Sequence, residues 1–325
     1  MRGLLSRNLK GLGIFVVVAI ASLLFFGYVS AAEKYLSRPL EIIVSWPAGG
    51  GADIATRTMT KYLEKEIGQR IDVRNIAGGG GAIGYTAGAK QKPDGYHLMT
   101  LQSSFLALMT RPYVDISFDD FDLVGRYAFE APALMVKGNS PFKTLDDFIE
   151  GAKGKKLKVA VAALGGDWHQ ATHLMCKTIG ITVRPVPFKG ITGALPAILG
   201  GHVDAGVVYL SGTTGSLKSG EVRLIAVMAK ERLKRYPDVP TFRELGYDVT
   251  YTAGYYGVGA PKGTPDEAIS VLTKAIERVC NNPNFVAEAA SREQNVLYLG
   301  PEEFREFLEE NLAKVQMLMK ELEVK

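Results

Sequence analysis

The stretch Ile42-Ile43-Val44 is apolar at every residue and stops at Trp46-Pro47-Ala48-Gly49-Gly50-Gly51, which opens directly onto a helical pattern. An uninterrupted β-branched run suits a strand covered on both faces. In the helix that follows, Ala55, Met59, Tyr62 and Ile67 recur near helical spacing, and Gly68 supplies a stop. The unit then repeats: a strand over 70–75, a second glycine run over 78–81, a short helix ending near Lys90, the turn Pro93-Asp94-Gly95, and a strand over 97–101. Strand, glycine turn, helix, strand is the layout of a parallel sheet with crossover helices, so the chain is expected to be α/β.

Strands over 123–127 and 133–136 follow, and a second α/β run begins. Its strands are expected over 158–162, 183–186, 205–209 and 223–228, and its helices over 144–152, 168–179, 191–199 and, weakly, 213–218. A further apolar strand covers 255–260, followed by helices over 265–281 and 301–323. Phe304, Leu308, Leu312, Val315, Met319 and Leu322 make one apolar stripe on the last helix. This order predicts one domain from residues 32–133 plus 255–325 and a second, 134–254, inserted between its halves.

The chain has 325 residues, 47% hydrophobic and 22% charged, enough for two cores. Its start is different in kind. Arg2, Arg7 and Lys10 precede an apolar run from Gly11 to Tyr28, which closes on Ser30, Ala31 and Ala32. This is the layout of a secretory signal peptide over residues 1–31, and it predicts a periplasmic protein. The run is also long enough to be an uncleaved anchor. Removing its three basic residues lowers the net charge from +4 to +1, and the remainder has no basic tract suited to nucleic acid. Cys176 and Cys280 each fall in an apolar helical context and are expected to be buried free thiols.

Enzyme signatures fare poorly. Residues 79–84 satisfy G-x-G-x-x-G, but the next strand ends in Leu101-Gln102-Ser103-Ser104, without the acid that a nucleotide ribose requires. Asp167, His169 and His173 lack an assured set of zinc ligands, so neither a metal nor a cofactor is expected. The glycine turns point instead to anion binding. A helix that starts after a glycine loop presents unpaired N–H groups and the positive end of its dipole. The loop before Ala52 is one such place, and Gly165-Gly166-Asp167-Trp168 is another. Two such places facing each other would clamp a dianion. Asp53 and Asp167 read as helix caps, and each puts negative charge where the anion is expected.

Residues 42–53, Ile-Ile-Val-Ser-Trp-Pro-Ala-Gly-Gly-Gly-Ala-Asp, resemble the opening of the tripartite tricarboxylate transporter solute receptors, also called the Bug family. Further matches follow in order: Asn75 through Gly84, Pro93-Asp94-Gly95-Tyr96, Pro187-Phe188-Lys189-Gly190, Gly200-Gly201-His202-Val203-Asp204, Pro237-Asp238-Val239-Pro240-Thr241, and the segment from Gly257 to Pro265. The resemblance implies a two-lobed periplasmic binding-protein fold of type II, closing on a small carboxylate. It implies a monomeric receptor that serves separate membrane permease subunits, and no catalysis. In such proteins one carboxylate is held by the loop after the first strand, here Trp46, Pro47, Ala48, Gly49 and Gly50. A second-domain loop closes over it, here Gly165, Gly166, Asp167, Trp168 and His169. Gln102, Ser103 and Ser104 line the distal pocket, and Phe188, Lys189, Gly190 and Asp204 complete the candidate set. Two departures stand out: Ser45-Trp46 where Pro-Phe is common, and bulky or ionisable residues over 167–169 where small ones are usual. A ligand-sensing partner of a membrane signalling protein, or a nucleotide-dependent enzyme, is the competing reading.

Overall fold

The computed structural model describes residues 35–322, of which residues from Arg38 onward form one compact body. The expected signal segment, 1–31, lies outside the described residues. The first part of the chain gives β1 (Leu40–Val44), α1 (Gly51–Ile67), β2 (Ile71–Asn75), α2 (Ala82–Ala89), β3 (His97–Gln102), α3 (Ser104–Met109) and β4 (Phe121–Phe129). The middle gives β5 (Ala133–Lys137), α4 (Leu145–Ala152), β6 (Lys158–Val161), α5 (Asp167–Ile179), β7 (Arg184–Pro187), α6 (Ile191–Leu199), β8 (Ala205–Val208), α7 (Thr214–Lys218) and β9 (Val222–Val227). The last part gives β10 (Tyr255–Pro261), α8 (Asp266–Cys280), α9 (Pro283–Ser291), β11 (Asn295–Leu299) and α10 (Pro301–Glu321).

These strands form two sheets, ordered β11-β4-β10-β3-β1-β2 and β7-β6-β8-β5-β9. Both sheets are mixed. β1 runs parallel to β2 and β3, and β6 runs parallel to β7 and β8. β10 is antiparallel to β3 and β4, and β5 is antiparallel to β8 and β9. The purely parallel expectation fails for one reason. β5 and β10 are the strands by which the chain enters a sheet from the other one, so they start at the edge where the crossover strands end. Only residues 130–132 separate β4 from β5.

Each sheet carries its own core. Tyr85, Phe105, Phe121 and Phe304 are buried against the first sheet, and Phe148, Val159, Ala205 and Phe242 against the second. Gly68 ends α1 in the left-handed conformation (φ 68°), with its N–H bonded to the Glu64 carbonyl. Thr144 and Asp147 form a capping box at the start of α4. Both cysteines are buried free thiols. Because the parallel strands of each sheet end on one edge, the loops after β1, β3, β6, β7 and β8 converge in the gap between the sheets, where open α/β folds place ligands.

Candidate functional site

The loop after β1 is built around Asp53. Its carboxylate accepts the Gly49 N–H (2.9 Å), the Arg57 Nε (2.8 Å) and the Asn75 Nδ2 (3.0 Å). The acid that counted against an anion site is thus compensated by its own partners. Gly49 has φ +77°, where a side chain is strained. Gly50 does not need to be glycine for its backbone (φ −79°), and its N–H is turned back to the Pro47 carbonyl at 3.3 Å. Ile54 makes the first intrahelical bond, to the Gly50 carbonyl. The amides of Gly51 and Ala52 lie in the first turn, without an intrahelical acceptor, and both residues line a cavity of about 40 Å³ between the sheets. The open donors therefore sit just past the expected loop. Gly51 is the position of close approach: a Cβ there would lie 2.9 Å from the Tyr256 hydroxyl and 3.3 Å from Ser211 Cβ. Ala48 and Gly49 are exposed and shape the turn, whereas Trp46, Pro47 and Gly50 reach the cavity.

The second glycine loop is not a matching anion site, which corrects the sequence-based expectation. The Gly165 N–H donates to His169 Nδ1 (2.8 Å), and the Gly166 N–H donates to the Ala163 carbonyl (3.1 Å). The Trp168 N–H donates to the Asp167 carboxylate (3.0 Å). Asp167 therefore occupies the helix end that an external anion would have used. Its other oxygen accepts from the Ser103 hydroxyl at 2.5 Å, a bond that joins the two sheets' loops, and Ser103 in turn accepts from the Tyr209 hydroxyl (3.2 Å). Burial pushes the Asp167 carboxyl up, while the Ser103 and Trp168 hydrogen bonds hold it down. The Arg111 guanidinium adds a second tie, donating to the Leu164 carbonyl at 2.5 Å. A Cβ on Gly165 would strike that guanidinium.

His169 turns away from the cavity. Its ring holds the loop and borders a separate cavity of about 300 Å³ with His173 and Cys176. Burial first, then the neighbouring His173 and Arg111, push it down to about 4, so it is neutral at pH 7. His173 contacts Glu321 at 3.0 Å on the surface. Trp168 does line the site, but it is also a core residue, packed edge-to-face on Tyr209 with centroids 6.2 Å apart.

Gln102, Lys189 and Gly190 line the 40 Å³ cavity, and Phe188 and Lys189 line an adjoining one of about 490 Å³ beside the Gly78–Gly81 run. Trp46 borders both cavities. Its Nε1 donates to Ser104 Oγ (3.1 Å), which also accepts from Gln102 Nε2 (3.0 Å). Asp204 does not join them. It precedes β8 at the opposite end of the strands and accepts the Lys158 N–H at 2.7 Å. Sequence reasoning missed Tyr209, Ser211, Tyr256 and Glu130. Glu130 is buried between β4 and β5 and accepts the Ser211 N–H (3.1 Å), the Ser211 hydroxyl and the Tyr256 hydroxyl (2.6 Å). Burial pushes its carboxyl up to about 7 against those hydrogen bonds. The available signal was an acid standing between two buried strands.

The sequence pattern described as "Tripartite tricarboxylate transporter family receptor" matches residues 55–324. Protein BugT of Bordetella pertussis is 31% identical over 321 residues, covering 95% of each chain. The solved structure of the periplasmic binding protein BugD superposes with a TM-score of 0.83 at 26% identity, covering 90% of this chain and 99% of BugD. Malate-bound MatC of Rhodopseudomonas palustris superposes with a TM-score of 0.79 at 25% identity, covering 87% of this chain and 99% of MatC. With its two mixed sheets and the cleft between them, this chain belongs to the receptor family of the tripartite tricarboxylate transporters.

Proposed function

We propose that the chain captures a small organic carboxylate in the cleft and delivers it to the membrane components of a tripartite tricarboxylate transporter. The observation that carries this is the N-terminus of α1: the Gly51 and Ala52 amides, free of intrahelical acceptors, line a cavity walled by both sheets. The malate in MatC supports the ligand class. Residues 32–133 with 255–325 act as one lobe and 134–254 as the other, hinged where 130–132 and 253–254 pass between the sheets. Trp46, Pro47, Gly50, Gln102, Asp167, Trp168, Lys189 and Gly190 serve as ligand contacts, joined by Gly51, Ala52, Tyr209, Ser211 and Tyr256. The protein works as a monomeric periplasmic receptor after loss of residues 1–31, without cofactor, metal or turnover, and its permease subunits are separate chains.

Gly51→Val tests the reading. The added side chain enters the cavity beside the Tyr256 hydroxyl and covers the two amides. Calorimetry should show ligand affinity falling at least ~100-fold, about 2.8 kcal/mol at 1.4 kcal/mol per decade. Urea unfolding of the same variant checks that it is folded. A folded Gly51→Val protein with unchanged affinity refutes the site.

A further inference from the structure

Trp46 stands between the cavities of the cleft. It borders the 40 Å³ cavity, the adjoining one of about 490 Å³ and a third of about 120 Å³ beside Arg111. The first two cavities share Trp46, Pro47, Ala162 and Lys189 as walls. Lys189 is exposed, and Pro47 and Ala162 are small, so the indole is the one large rigid part of that partition. The ring is fixed on both sides. Its Nε1 donates to Ser104 Oγ (3.1 Å), and Gln102 Nε2 donates to the same oxygen (3.0 Å). With both lone pairs taken, the Ser104 proton is left for the Tyr85 hydroxyl at 3.4 Å. Ser104 and Tyr85 are both buried. The other edge of the indole reaches across the gap. A Cβ on Gly190 would lie 3.5 Å from Trp46 Cε3, and the ring packs against the second-sheet core that holds Ile191. A side chain from the first sheet's loop thus closes against the second sheet's core.

From this geometry we propose that Trp46 sets the length of the acid that the cleft accepts. The proposal rests on the carboxylate-receptor reading and deepens it. With a carboxylate on the Gly51 and Ala52 amides, the indole is the wall that a longer chain meets. Behind that wall the larger cavity is lined mainly by apolar groups, among them Ala77, Ala163, Leu164 and Phe188. The ring cannot swing aside without giving up the Ser104 hydrogen bond and its contact with Gly190. A chain pushed against a fixed wall overfills the cavity, which is unfavourable in the same way as an overpacked core. The native chain therefore takes acids that end before the indole. Removing the ring joins the two cavities, and each further methylene then gains by burial, ~4-fold in affinity per methylene.

The test is calorimetric titration of the purified native protein, Trp46→Ala and Trp46→Leu with two series of straight-chain acids, acetate to octanoate and malonate to suberate. In the native protein, affinity should peak at a short member and fall at least ~10-fold over the next two methylenes, the scale of an overfilled site. In Trp46→Ala the optimum should move to longer acids of the series that binds, and among the monocarboxylates affinity should go on rising ~4-fold per methylene past the native optimum. Trp46→Leu, which also lacks the ring, should move the optimum in the same direction and carries the comparison if Trp46→Ala does not fold. A native affinity that rises without a break through octanoate overturns the partition and leaves the carboxylate reading standing. So does an optimum at the native length in the folded variants. Failure of every acid to bind any of the three proteins overturns the carboxylate reading as well.

Discussion

Replacing Glu130 with glutamine should reverse the order of stability of the two proteins between acidic and alkaline pH. Glu130 is 2% exposed and holds three hydrogen bonds at the junction of the sheets, and burial raises it from 4.5 to about 7. The folded chain thus holds this proton more tightly than the unfolded chain does. The resulting stabilisation is fully present below pH ~4.5 and is lost as pH rises through about 7. At about 1.36 kcal/mol per pKa unit the loss is ~3 kcal/mol. Glutamine has no proton to lose, but it keeps one acceptor oxygen in place of two, which costs about 1 kcal/mol. Glu130→Gln should therefore be ~1 kcal/mol less stable than the native chain at pH 4 and ~2 kcal/mol more stable at pH 8. Urea unfolding of both proteins at the two pH values measures this. A stability gap of the same size and sign at both would refute the placement of a titrating Glu130 at the junction.

Three substitutions elsewhere follow from the same geometry. His169→Ala removes the acceptor of the Gly165 N–H and should cost ~1–3 kcal/mol in unfolding free energy. His173→Ala loses only a surface contact with Glu321 and should cost less than ~1 kcal/mol; equal costs would contradict the assigned roles. Gly49→Ala has room for its methyl but forces a side chain to φ +77°, so denaturant unfolding should show a loss of ~1–3 kcal/mol together with weaker ligand binding.

The fold was legible wherever periodicity and turn chemistry agreed. β1, α1, β6, α6 and α10 follow from apolar runs, helical stripes and glycine stops. α3, α9 and β11 escaped because their signals are weak. Ser104–Met109 is a buried segment with no polar face, and Asn295–Leu299 is a short edge strand. The site was half legible. Glycine turns mark where a backbone can approach a ligand, but they do not say which N–H groups remain free. That depends on distant partners: Asp53 takes the Gly49 amide, and Asp167 takes the Trp168 amide. His169 looked like a ligand contact because the resemblance puts it in the closing loop, but its ring holds the Gly165 N–H and borders a separate cavity. Tyr256 and Ser211 could not be placed, since only the pairing of the sheets brings β10 and the loop after β8 to the α1 N-terminus.

The central claim, that the cleft is a carboxylate receptor site, is tested most directly by a thermal-shift screen of amino, hydroxy and unsubstituted carboxylic acids on the purified protein. The account predicts that at least one acid stabilises it saturably, by ~2.7 kcal/mol at a free concentration of ~100 times Kd, with the effect abolished in Gly51→Val. If no acid shifts the transition, or if Gly51→Val responds like the native chain, the account is contradicted.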